Sequence, residues 1–157
     1  VSELPRPIRD LVARHRRIAI DSNVLIYLLD GDPERAETAA ALVDAVATAQ
    51  VDGVLASVGL TETLVGPARA NDGAAFEQAA ATIRDLGFRI MPLTADIAEE
   101  AAWVRGRTGL SLPDAIHVAN AREAGATAFV TNDRGIKATG GLEIVAFADL
   151  VAAEPPP

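Results

Sequence analysis

The chain has 157 residues, of which half are hydrophobic and 23% charged, with a formal charge of -8; this length and composition suit one globular domain and exclude a disordered or fibrous chain. It contains no cysteine, which excludes a disulfide framework, a thiol redox pair and thiolate zinc sites. The acidic balance argues against a broad basic surface for nucleic acid, although Arg6, Arg9, Arg14, Arg16 and Arg17 crowd the start and carboxylates that hold divalent cations are partly neutralised when loaded.

No apolar run approaches the roughly 20 residues that span a bilayer, and residues 1–17 lack an apolar signal-peptide core, so the expected compartment is the cytoplasm. Residues 1–16, with Pro5 and Pro7, read as a peripheral leader in which Ile8, Leu11 and Val12 make one short amphipathic turn. A single domain is expected over residues 17–152, followed by a frayed tail over 153–157.

The run 18–20, short, rich in β-branched residues and preceded by Arg16 and Arg17, reads as a buried parallel strand with Asp21 at its C-terminal end. Residues 24–29 continue as a short helix ending near Gly31 and Pro33. Pro33 suits the first turn of a second helix, over 36–49, where Leu42 and Val46 lie four apart. Residues 51–56 read as a second strand despite Gly53. A helix carrying Leu60, Glu62, Leu64 and Val65 is then expected to stop at Gly66-Pro67, because proline cannot extend a helix. Another helix over 74–86 closes at Gly87. Residues 88–91 form a third strand, and Thr94 is a good N-cap for a helix over 95–107 with Asp96 and Glu99 in its early turns.

Ser111 is the hydroxyl cap candidate for a helix that has Pro113 and Asp114 near its start and ends before Gly125. A fourth strand over 127–130 exits through Thr131-Asn132-Asp133, and 142–147 is a fifth. Strands alternating with helices of about a dozen residues imply an α/β protein: a mostly parallel sheet with helices on both faces.

In that architecture Asp21 and Asp133 follow strands, while Glu62 and Asp114 fall in the first turn or so of helices. All four are expected to face the crevice at the carboxyl ends of the strands. Each also has a plainer reading. Asp21, Ser22 or Asn23 suits a helix N-cap, Glu62 a solvated helical acid, Asp114 a favourable first-turn charge, and Asp133 a turn beside Gly135. Gathered carboxylates repel, and a hard divalent cation such as Mg²⁺ or Mn²⁺ resolves the conflict. Such a site points to hydrolysis of a phosphate ester. His117 is assigned a structural or peripheral role, and Trp103 a place in the core or on a dimer face. Arg105, Arg107, Arg122, Arg134 and Lys137 are either solvated or along a path for nucleic acid.

Four stretches, Ile20-Asp21-Ser22-Asn23-Val24-Leu25, Thr61-Glu62, Leu112-Pro113-Asp114-Ala115-Ile116-His117-Val118-Ala119-Asn120-Ala121 and Val130-Thr131-Asn132-Asp133, resemble in order the motifs of the PIN-domain ribonucleases. More narrowly, they are similar to those of the VapC toxins of bacterial and archaeal toxin–antitoxin pairs. The likeness runs over residues 17–150. It implies a PIN-like three-layer α/β sandwich with a central sheet of about five strands, and an endoribonuclease dependent on one or two Mg²⁺ or Mn²⁺ ions. It also implies a homodimer and a small VapB-like antitoxin that inserts a segment near the acids. Under this resemblance Asp21, Asp114 and Asp133 are metal ligands, directly or through water, and Glu62 binds metal or aligns the attacking water. Asn23 and Thr131 orient the carboxylates, with Asn132 a further candidate. Two rivals stand beside it. An Asp-nucleophile phosphatase is disfavoured because Asn23 occupies the place of its second acid. A non-catalytic RNA- or protein-binding module on the same fold is disfavoured by the four intact acids.

Overall fold

Three residues, Ile18, Ala19 and Ile20, set the architecture, because successive side chains of a strand point to opposite faces and all three are buried. In the computed structural model, which describes residues 3–137 and 140–152, they lie in the central strand β1 (Arg17–Ile20). Ile18 and Ile20 enter one apolar core and Ala19 a second, on the other side of the sheet. Four more strands pair with it in parallel: β2 (Asp52–Ala56), β3 (Arg89–Met91), β4 (Ala128–Thr131) and β5 (Glu143–Ala146), in the order β3-β2-β1-β4-β5. The parallel α/β sandwich expected from the alternation of elements is the fold observed.

Helices cover both faces, as two buried faces require. Helices α1 (Arg6–Arg14), α2 (Ser22–Asp30), α3 (Ala36–Ala47), α4 (Ser57–Arg69) and α5 (Gly73–Asp85) supply the first core, with Leu25, Leu42, Leu64 and Ile83 against Ile18, Ile20, Leu55 and Val130. Helices α6 (Ala95–Thr108) and α7 (Leu112–Glu123) supply the second, with Ile97, Ala101, Val104, Val118 and Ala119 against Ala19, Val54 and Phe129. A short 3₁₀ turn, Phe147–Leu150, follows β5.

Gly53 in β2 has a packing reason: a Cβ there would stand 2.6 Å from Phe88 Cδ1 and 2.7 Å from Val46 Cγ1. The strand keeps its place because the glycine admits the phenyl ring, which is the usual meaning of glycine in a strand interior. The capping assignments for Thr94 and Ser111 are matched by side-chain bonds from the N–H groups of Ile97 and Asp114.

Three readings need correction. Residues 1–16 are not peripheral where described: α1 buries Ile8 and Leu11 completely in the first core, and His15 just beyond it bonds Glu143 at 2.6 Å and Thr127 at 2.8 Å. Two prolines near the start masked a full helix, since Pro5 and Pro7 occupy its N-cap and first turn, where a missing N–H costs nothing. Helix α4 does not stop at Gly66-Pro67 but continues to Arg69. Proline deprives only the Thr63 carbonyl of a helical partner, and the helix ends within two residues anyway. Pro33 precedes α3 rather than entering its first turn, because Asp32 Oδ1 accepts from the N–H groups of Glu34 and Arg35 and holds a turn there. The tail expected over 153–157 lies outside the described residues.

Helix α1 is therefore a structural element of the first core. Leu11→Ala should lower the unfolding free energy by about 2–5 kcal/mol, the usual cost of emptying a leucine site, as measured by urea denaturation. A loss below about 1 kcal/mol would mean that α1 is dispensable, as surface changes are.

Candidate metal centre

Asp21 directly follows β1 and Thr131 ends β4, and these neighbouring strands are where the chain order reverses. To one side the sheet continues through β2 and β3, to the other through β5. At such a point the connections from the two strands diverge, and the crevice outside the carboxyl ends of the strands is the ligand site of open parallel sheets. The last sheet bond runs from Asp21 N–H to the Val130 carbonyl at 2.9 Å.

Asp21 is 5% exposed, and its carboxylate is well supplied with donors. Oδ1 accepts from Ser22 N–H at 2.7 Å and from the Ser22 hydroxyl at 3.3 Å, while Oδ2 accepts from Thr131 Oγ1 at 2.7 Å. The capping reading of Asp21 and the site reading thus both hold, for the same side chain. The Thr131 hydroxyl in turn accepts from Asp133 N–H at 3.0 Å, tying the β4 exit to the β1 exit.

Asp114 sits in the first turn of α7, where Ser111 caps it. Burial pushes its carboxyl above the usual range, opposed by the Ser111 bond and reinforced by the negative charges of Asp133 and Asp21 and a side-chain hydrogen bond with Asp133. Asp133 is exposed, and its Oδ1 also accepts from Gly135 N–H at 2.8 Å, so the turn reading is true of it as well.

Glu62 lies in the second turn of α4 rather than the first, because α4 begins at Ser57, directly after β2. Its Oε1 accepts from His117 Nε2 at 2.7 Å. That bond holds its carboxyl below the usual range against a smaller opposing effect of burial, and the His117 charge and a bond from Ser22 act in the same direction. His117 Nε2 also stands 3.5 Å from Asp21 Oδ1, and one potential ligand atom each from Asp21, Glu62 and His117 fall within 4.8 Å of one another. Among the described residues the group close enough to share one ion is thus Asp21, Glu62 and His117, while Asp114 and Asp133 stand beside one another, near enough to Asp21 for its charge to act on Asp114 but outside that group.

The remaining expectations fare unevenly. Thr131 donates to the Asp21 carboxylate. Asn23 does not: its buried Oδ1 has no hydrogen-bond partner, and no bond from Asn23 to a carboxylate occurs among the described residues. Asn132 is turned away, donating to Tyr27 Oη at 2.8 Å on α2. Trp103 is not core; it is 62% exposed on α6 with the Arg107 guanidinium 4.8 Å over its ring. Arg122 pairs with Glu100, and Arg105 donates to the Leu110 carbonyl.

Ser22 and His117 are the residues that sequence reasoning underrated. The signal for His117 was present, since a residue three after Asp114 shares its helix face. What it lacked was any sign that α4 passes beside that face.

The donor set fits a hard divalent cation. It is oxygen-rich, none of the four acids forms an ion pair with Lys or Arg among the described residues, and burial together with the charges of Asp133 and Asp21 raises the Asp114 carboxyl above its usual range. Burial and like charge disfavour the Asp114 carboxylate only in the folded state, so the native protein binds this proton more tightly than the unfolded chain does. The penalty is therefore full above the raised pKa and absent well below the ordinary carboxylate range. Asp114→Asn should raise the melting temperature of the metal-free protein by a few degrees at neutral pH, with the gain fading as pH falls towards about 4. Melting curves across pH check this, and a lowered melting temperature at neutral pH would contradict it.

A family model described as PIN domain matches residues 18–142. Comparison with curated proteins finds no match. Similar solved structures include a toxin–antitoxin complex from Klebsiella pneumoniae, 22% identical with a TM-score of 0.61, covering 80% of this chain and 94% of that one. VapBC2 from Rickettsia felis, bound to a DNA fragment from its promoter, is 16% identical with a TM-score of 0.66, covering 83% and 98%. VapC20 from Mycobacterium tuberculosis, described as a sarcin–ricin loop cleaving toxin, is 24% identical with a TM-score of 0.57, covering 71% and 86%. At these identities the structures speak for the fold. With the family model spanning most of the sequence, this chain belongs to the PIN domain family.

Proposed function

We propose that this protein is a Mg²⁺- or Mn²⁺-dependent endoribonuclease and the toxin of a VapBC-type toxin–antitoxin pair. The observation that carries this reading is the close grouping of Asp21, Glu62 and His117 at the carboxyl edge of the sheet, with the charge of Asp21 acting on the neighbouring Asp114 and no Lys or Arg paired to any of the four acids among the described residues. Asp21, Asp114 and Asp133 would hold one or two ions, directly or through water. When bound, the ion lowers the pKa of a coordinated water and offsets charge on the oxygens of the phosphodiester.

The chain's own groups do the rest. Thr131 and Ser22 fix the Asp21 carboxylate from both sides, so its oxygens need no reorganisation on binding a cation. Glu62, held ionised by its bond to His117, is an acceptor able to align an attacking water or to add a ligand oxygen. The acidic balance of the chain would be answered locally, since the acids, once holding cations, would no longer repel the RNA backbone.

An antitoxin partner is supported by the similar structures, several of which are toxin–antitoxin complexes. Glu62 also lines a cleft of about 370 Å³ whose walls include Ile26, Leu29, Pro67 and Ala79, a mostly apolar neighbour to the acids suited to a docking segment of such a partner. A homodimer is part of the same reading, with exposed Trp103 available to a contact face. No helix among the described residues is long and apolar enough to cross a membrane, and a cytoplasmic location is part of the toxin reading rather than a consequence of that.

Incubation of the purified protein with structured RNAs tests the reading. Cleavage should require Mg²⁺ or Mn²⁺ and cease with a chelator, and Asp21→Ala or Asp114→Ala should reduce it at least about 100-fold, roughly 2.7 kcal/mol of transition-state stabilisation. Full activity in either variant, or in the chelated protein, would overturn it.

A further inference from the structure

We propose that His117 is the positioning residue for Glu62, holding that carboxylate beside Asp21 so that the two acids act on one cation. The inference rests on the metal-centre reading and adds to it a residue that touches neither substrate nor reacting atoms.

His117 is 1% exposed in a run of α7 where Ala115, Ile116, Val118 and Ala119 are all buried. Its Nδ1 is buried without a partner, so the bond from Nε2 to Glu62 is the one strong hydrogen bond of the ring. A buried polar ring that spends its only such bond on one carboxylate fixes that carboxylate's direction. Glu62 needs fixing: its side chain is 35% exposed and has rotamers that would turn it into solvent.

The backbone of α4 makes room for this contact. Gly59 lies one turn before Glu62, and a Cβ there would stand 3.0 Å from His117 Cε1 and 2.7 Å from Leu55 Cδ1. On its other side the imidazole leans on Phe129, with ring centroids 5.7 Å apart and planes at 41°. The ring is therefore held between a helix that lacks a side chain at the point of approach and a strand that supplies an aromatic one. The nitrogen that faces the acids is the one engaged as donor, and the other points away from them, so the ring presents no lone pair to a cation. That geometry assigns it positioning rather than ligation.

Mn²⁺ affinity of chelator-stripped protein, measured by calorimetry, tests this without recourse to catalysis. His117→Leu should weaken Mn²⁺ binding on the order of tenfold or more, as loss of a group that orients a ligand does, while His117→Gln, whose amide nitrogen replaces Nε2, should remain within about threefold of wild type. In a Glu62→Gln background, His117→Leu should cost nothing further, because its effect passes through Glu62. Wild-type affinity in His117→Leu would overturn the inference, and so would an equal loss with Glu62 already replaced, which would make the ring a ligand in its own right. If circular dichroism shows His117→Leu unfolded, His117→Asn decides: its shorter amide keeps a polar group in place but falls short of the 2.7 Å bond to Glu62, so it should weaken Mn²⁺ binding, and unchanged affinity would overturn the inference. Asp21→Ala is the control on the underlying reading, since undiminished Mn²⁺ binding in that variant would sink the metal centre itself, whatever His117 does.

Discussion

Like charges gathered at the end of a sheet are the constraint around which this molecule is built. A buried carboxylate is tolerable only when its oxygens are satisfied. Asp21 meets that condition through the Ser22 N–H, the Ser22 hydroxyl and the Thr131 hydroxyl. Those donors support one carboxylate and do not neutralise the group. Asp114 has a raised proton affinity, from burial first and then from the charges of Asp133 and Asp21. The site is thus preorganised at its centre and electrostatically unfinished at its rim, a combination that favours capture of a cation.

Topology explains why these residues meet. Neighbours in the sheet, β1 and β4 are far apart in sequence, and they bring Asp21 and Thr131 together through main-chain pairing alone. Glu62 arrives on α4 and Asp114 on α7, helices that emerge from opposite layers of the sandwich and touch at the sheet's carboxyl edge. Small residues make the approach possible. Ala115, Ala119 and Ala121 let α7 lie close in the second layer, and Gly59 opens α4 to the His117 ring. Packing and chemistry therefore depend on the same positions, so changes at glycine or alanine near the acids bear on function through geometry.

Much of this was legible in the sequence, for local reasons. The strand at 18–20 declared itself by a short β-branched run, α6 by the Thr94 cap, and α7 by Ser111, Pro113 and Asp114 in succession. Each of these signals lies within a few residues of the structure it specifies. The failures involve either ambiguity of proline or contacts between distant segments. Pro5 and Pro7 open α1 rather than forbid it, and Pro67 sits so near the end of α4 that the helix tolerates it. Asn23 and Asn132 could not be told apart from Thr131 by residue type, since all three carry suitable hydrogen-bonding groups. Only the pairing of β4 with β1 decides that Thr131 reaches Asp21 while Asn132 meets Tyr27. His117 was underrated for the same reason, its partner lying 55 residues away on another helix.

The central claim is that the four acids form one binding site for a divalent ion. A ligand that binds only the folded state raises its stability with concentration, so thermal unfolding of the full chain in increasing Mn²⁺ is the most direct measurement. The wild-type melting temperature should climb steadily with Mn²⁺, and a variant with Asp21, Glu62, Asp114 and Asp133 all changed to their amides should melt at one temperature throughout. An equal climb in both proteins, or none in the wild type, would contradict the account.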